Sequence, residues 1–186
     1  VELAQETTVP DSCRLLFMHG PRRDFTAEEV NAVLTFLANG GAALFLLDLT
    51  KLPTLEAALA RLHVSLGSEI VAEGAAQLYV RDRQTLPVID VALAKREPEQ
   101  FVAVFHGARQ VNYASSPGHS GGVFLGYRSL THGVVPVGVA GEIAGAQAGR
   151  FMVVGDVDFL AGRLFLREGN RALLGRMLHW LNGRSV

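Results

Sequence analysis

Four short stretches hold the side chains able to do chemistry. Gly155-Asp156-Val157-Asp158 sets two carboxylates two residues apart. An Asp-x-Asp pair can hold a divalent cation, but a working site needs more oxygen ligands. Turn formation after a strand is the plainer role for it. His106-Gly107-Ala108-Arg109 offers an imidazole for proton transfer and a guanidinium for an anion. No nucleophile accompanies them, and an exposed turn with Arg109 paired to a carboxylate is the plainer reading. Asp48, ahead of Thr50 and Pro53, can bind a metal or a sugar hydroxyl. It can equally anchor the turn or cap the next helix. Arg22-Arg23-Asp24 precedes a helix whose N-terminus can receive an anion, or forms a solvated charged turn. The ligand- or partner-binding candidates are therefore Arg22, Asp48, His106, Arg109, Asp156 and Asp158. No catalytic residue and no metal site is assigned.

Several chemistries find no support. Neither Gly-x-Gly-x-x-Gly nor Gly-x-x-x-x-Gly-Lys-Ser/Thr occurs, so no nucleotide fingerprint is present and no cofactor is expected. A nucleophile elbow needs its residue at the top of a sheet, and Gly-x-Ser-x-Gly is absent. Cys13, the single cysteine, stands at the opposite end of its strand and reads as an inert thiol. It also rules out an intrachain disulfide and a cysteine-rich metal site. His63, His119, His132 and His179 lack metal-ligand spacing. With 17 basic and 18 acidic residues and no basic run, a phosphate-tracking surface for nucleic acid is disfavoured.

The elements that must position these residues start with Leu15 to Asp48. Leu15-Leu16-Phe17-Met18 is too short for a helix and reads as a buried strand, ended by His19-Gly20-Pro21. Thr26-Ala27-Glu28-Glu29 has the form of a capping box. Val30, Val33, Leu34 and Leu37 then fall on one helical face, and Gly40 suits the left-handed stop. Ala42 to Leu47 is a second continuous apolar run, which predicts a parallel strand covered on both faces. Pro53 suits the start of a second helix, which carries Leu55, Leu59 and Leu62 and ends near His63. Further strands are expected at Gln77–Val80, at Phe101–Phe105 and at Phe151–Val154. Any strand over Thr85–Ile89 belongs at an edge because of Pro87. From Gln110 to Gly149 the chain turns rich in glycine and serine, predicting a hairpin or long excursion that packs poorly at its tip. Leu173, Leu174, Met177, Leu178 and Leu181 give a closing helix stopped by Gly183.

Helices interleaved with apolar strands predict one α/β domain over 1–186, an open, mostly parallel sheet with helices on both faces. Such sheets place ligands beyond the carboxyl ends of their strands. Those ends are followed by His19–Asp24, Asp48, His106–Arg109 and Asp156–Asp158, where the site is expected.

Three stretches together resemble a family. Leu15 to Thr26, through Gly40-Gly41 to Leu46-Leu47-Asp48, is similar to the strand, Gly-Pro turn, helix, Gly-Gly, strand core of GldG-like proteins. These are auxiliary subunits of ABC-type transport systems, related to gliding-motility components. Phe105-His106-Gly107-Ala108-Arg109 resembles the family's Phe-Pro-Gly-Ala-Arg segment, with His106 in place of proline. Arg150 to Phe159, with Gly169-Asn170-Arg171 and Trp180 to Gly183, resembles its closing block. The resemblance implies a flavodoxin-like sheet, similar to class I glutamine amidotransferases without their catalytic apparatus. It implies a non-enzymatic, extracytoplasmic (periplasmic) binding or assembly module, anchored to a membrane and working with permease and ATPase subunits. The family's first strand and helix would precede Val1. A sheet lacking them predicts self-association, unless residues 110–149 fold back over the gap. The alternatives are a hydrolase on an amidotransferase-like sheet, using His106, Asp48 or Asp156, and a carbohydrate-binding module.

Overall fold

A computed structural model describes residues 8–72, 77–81, 84–93, 102–115, 119–129, 131–143 and 148–183. The apolar run at the start forms β1 (Leu15–His19). Helix α1 (Ala27–Ala38) follows the predicted capping box. The Thr26 N–H donates to the Glu29 carboxylate at 2.7 Å, and the Glu29 N–H donates to the Thr26 hydroxyl at 3.2 Å. Gly40 takes a φ of +89°, the left-handed turn that releases the chain into β2 (Ala42–Leu46). All five residues of β2 are buried. Helix α2 (Pro53–Arg61) begins at its proline and runs into β3 (Val64–Ile70).

Among the described residues the middle of the chain is strands only: β4 (Gln77–Arg81), β5 (Gln84–Leu93), β6 (Ala103–His106), β7 (Arg109–Tyr113), β8 (His119–Ser129) and β9 (Gly133–Ile143). Next come β10 (Gly149–Val154), a 3-10 turn (Asp158–Leu160), the short α3 (Gly162–Phe165) and α4 (Glu168–Leu181).

The expected open, mostly parallel, flavodoxin-like sheet is not what these elements build. The main sheet is mixed and strongly curled, in the order β1-β2-β10-β9-β8-β5-β4, with β6 also on β5. Only β1, β2 and β10 run parallel; every other pairing is antiparallel. The cause lies in the connections. Within the described residues only β1 and β2 are joined by a helical crossover into a neighbouring parallel strand. Helix α2 delivers the chain instead to β3, which pairs antiparallel with β7 in a separate two-stranded ribbon. From β4 to β9 no helix intervenes among the described residues, and strands that double back pair antiparallel.

One further expectation is corrected. The strand carrying Pro87 is not an edge: Val88 of β5 pairs with Gln77 on one side and with His106 on the other. Pro87 itself pairs with Leu78, one residue before the β6 ladder begins. In the 110–149 stretch the expected hairpin forms as β8–β9, and Val134 near its tip is 52% exposed. The hairpin also supplies Leu125, Val137 and Val139, all with no exposed surface, and β9 is joined to β10 inside the sheet.

The core has two halves, one on each side of the parallel strands. On one side Val33 and Leu37 of α1, with Leu55 and Leu59 of α2, pack on Phe45, Phe151 and Val153. On the other, Leu173, Met177 and Leu181 of α4 pack on Leu44, Met152 and Val154. Alternation along β2 and β10 sends neighbouring side chains to opposite halves, so continuous apolar runs are what these positions require. Among the described residues no helix is long and apolar enough to cross a membrane.

Candidate functional site

The carboxyl ends of β1, β2 and β10 lie side by side, and the β6–β7 turn folds onto them. The turn is positioned by main chain: the Arg109 N–H donates to the Gly155 carbonyl at 2.7 Å. The approach is so close that a Cβ on Gly155 would overlap the Arg109 carbonyl oxygen. Gly107, with a φ of +70°, makes the reversal between β6 and β7. All six candidate residues meet here in one connected network.

Asp156 is its buried centre, 1% exposed. One carboxyl oxygen accepts the His106 N–H at 2.6 Å, and the other accepts the Phe159 N–H at 2.7 Å. Burial pushes this acid up to about 8, with the charge of nearby Asp158 adding to the rise and the backbone N–H groups of Phe159, His106 and Asp158 opposing it. His106, also buried, directs Nδ1 at the Asp158 carboxyl oxygen, 2.6 Å away. That contact fixes the ring's orientation. At the end of β1, Nε2 of His19 lies 3.0 Å from the Val157 carbonyl, a contact to the same loop.

Arg109 does not sit in an exposed turn, as its sequence context suggested. It is 4% exposed. Its Nε donates to the Gly67 carbonyl at 2.8 Å and its Nη1 to the Asp48 carbonyl at 2.7 Å, while Nη2 lies 3.6 Å from Glu56. Desolvation lowers the guanidinium pKa from its ordinary value, and the charges of Glu56 and Asp48 pull it back. The planar fork thus ties β3, the end of β2 and α2 together.

Asp48 accepts the Thr50 N–H at 2.8 Å, anchoring its own turn, and pairs with Arg22 at 2.9 Å. The Arg22 side chain is 75% exposed, so this pair adds little stability. Asp24 reaches across to the start of α2, accepting from Thr54 at 2.8 Å and from Leu55 at 3.3 Å. Desolvation pushes its carboxyl up, but the hydrogen bonds outweigh it and leave the pKa below the ordinary value.

Two participants, Glu56 and Asn170, escaped the sequence reading, whereas His19 lay in a stretch where the site was expected. Glu56 looks like one more charge in a helical first turn. Asn170, fully buried at the start of α4, accepts the Val104 N–H at 2.7 Å. It also donates to the carbonyls of Val104 at 2.9 Å and Phe159 at 3.0 Å. It thereby binds the helix to β6 and to the 3-10 turn. A signal existed only for Asn170, as part of the Gly169-Asn170-Arg171 stretch. Among the described residues no group of His, Cys, Asp and Glu is arranged to hold a metal ion.

A sequence-family model described as "Domain of unknown function (DUF4350)" matches residues 2–178. No curated protein matches the chain in sequence. The solved mmIFT52 N-terminal domain is similar at a TM-score of 0.73 and 15% identity, over 93% of this chain and 79% of that one. At that identity the likeness is one of fold, and it covers the mixed sheet described above. The β-galactosidase from Rahnella sp. R3 aligns over 88% of this chain and 22% of its own, at a TM-score of 0.41 and 15% identity, too distant to bear on the fold.

Proposed function

The chain belongs to the family described as DUF4350, and from that premise we propose that it is a non-enzymatic binding or assembly module of an ABC-type transport complex, working on the extracytoplasmic side of a membrane. The resemblance of its core and closing stretches to GldG-like proteins supplies the transport context. One observation carries the non-enzymatic part. The polar groups at the strand ends are directed at main chain of the same fold: Arg109 at the Gly67 and Asp48 carbonyls, Asp156 at the His106 and Phe159 N–H groups. A reacting group has to meet substrate, whereas these side chains brace a rigid edge. A braced edge suits a surface that docks against other subunits.

The test is affinity capture of the tagged chain, in its native host, from detergent-solubilised membranes. Stoichiometric recovery of a permease and an ATPase subunit is the expected outcome. Capture without either subunit would overturn the transport reading. The His106–Asp158 contact is the one feature that favours the hydrolase alternative. Turnover of an ester, amide or glycoside panel that His106→Gln abolishes, in a variant that keeps its circular dichroism, would establish that alternative.

A further inference from the structure

A cleft of about 440 Å³ lies between α4 and the face of β8, β9 and β10 that this helix packs on. Cross-strand pairing lays out its floor. Gly122 of β8 and Met152 of β10 both pair with Ala140 of β9. In the next row Ser120 and Arg150 both pair with Glu142. Paired residues share a face, so Gly122, Ala140 and Met152 lie side by side opposite the helix. The network around Asp156 lies beyond the other end of β10, so the cleft is a separate place in the fold.

Gly122 keeps this floor low. The neighbouring Gly121 and Gly141 are required by contact, since a Cβ on either would overlap the ring of Tyr113 or of Phe151. Gly122 is under no such demand. Its φ lies outside the left-handed region, and a Cβ there would meet no heavy atom within 4 Å among the described residues. Glycine weakens a strand, and what it provides at this position is space. The walls are apolar, from Leu93, Phe124, Leu173, Met177 and Trp180. Size and lining are those of a small-molecule site. Met152 and Met177 let the walls adapt to a flexible chain.

Two charged side chains reach the lining, Glu142 and Arg176. Glu142 is engaged by Arg150 at 2.8 Å. Arg150 also donates to the Trp180 carbonyl at 2.7 Å and lies over the Trp180 ring, 5.1 Å from its centre. Arg176 stands one turn before Trp180 on the same helix face. Its five-donor fork can take a carboxylate beside the contacts it already makes. We propose that this cleft binds a single-chain fatty carboxylate, with the hydrocarbon over Gly122, Ala140 and Met152 and the carboxylate on Arg176.

The probe is dodecanoate, titrated calorimetrically into the full chain below its micelle concentration. Emission of Trp180, the chain's single tryptophan, is followed in parallel. A one-site isotherm and a saturable change in emission are expected. Gly122→Phe fills the floor and should abolish both. Ala140→Leu narrows the same floor from the paired position and should weaken binding, which decides the matter if Gly122→Phe loses its circular dichroism. Arg176→Gln should weaken dodecanoate about tenfold and leave dodecanol unchanged. No saturable heat with dodecanoate would overturn the proposal. So would binding that the folded variants at Gly122 and Ala140 leave intact. Dodecanol binding as tightly as dodecanoate, or an Arg176→Gln variant equal to wild type, would overturn the assignment of a carboxylate head.

Discussion

Replacing Asp156 by asparagine tests the centre of the network. The acid is buried, and burial pushes its pKa to about 8. An aspartate in the unfolded chain titrates at about 3.9. Between these values the folded state holds a proton that the unfolded state releases, so the wild type loses stability as pH rises from about 4 through about 8. The slope is about 1.4 kcal/mol per pH unit for a full proton difference. The replacement amide does not titrate. It does, however, place an NH2 group against either the His106 or the Phe159 N–H, at a cost of about 1–3 kcal/mol that does not change with pH. The stability of Asp156→Asn relative to wild type should therefore improve by roughly 3–4 kcal/mol between about pH 5 and about pH 8. Urea unfolding followed by circular dichroism at each pH gives the two curves. A gap that is constant across that range would refute the reasoning. It would mean that the backbone donors outweigh burial and hold the carboxylate ionised.

Arg109→Ala removes the fork that satisfies two main-chain carbonyls and leaves Glu56 without its guanidinium. A loss of about 3–5 kcal/mol is expected in urea unfolding. Arg109→Lys should recover less than half of that, because a single ammonium cannot reproduce the planar fork; equal stability of Arg109→Lys and wild type would contradict it. Gly155→Ala sets a methyl against the Arg109 carbonyl and should cost about 1–3 kcal/mol, read as a lower melting temperature. Calorimetric titration with Ca²⁺, Mg²⁺ or Mn²⁺ should give no saturable heat. A one-site isotherm lost in Asp158→Ala would show that the Asp156–Asp158 pair holds a cation after all.

What the sequence made legible was local. The capping box at Thr26, the 3.6-residue stripe from Val30 to Leu37 and the left-handed Gly40 are each written within one turn of chain, and α1 follows them. The continuous runs of β2 and Phe151–Val154 announce strands covered on both faces, as they are. Strand direction is not written in that way. An apolar or alternating run says which face is buried but not which neighbour it meets. Extending the parallel logic of β1 and β2 to the later strands therefore gave the wrong sheet. That the candidate residues converge was readable because His19 ends, and Asp48 and Asp156 follow, strands that do run parallel. The environment of Arg109 was not. Its partners are the carbonyls of Gly67 and Asp48, and main-chain acceptors leave no mark on residue type. Glu56 and Asn170 were missed because each acts on a segment far away in sequence.

Strand β10 is inserted between β2 and β9, pairing Ala42 with Arg150, more than a hundred residues on. Bringing ends that far apart together costs roughly 4 kcal/mol of chain entropy before any contact is gained. The β8–β9 hairpin closes through a turn of a few residues and faces no such delay. Its β9 edge and the inner edge of β2 must wait, uncovered, for the strand that joins them. Folding of this chain is accordingly a race between that late docking and the capture of two open edges by other chains. Refolding yield should fall with protein concentration even where the finished fold is stable.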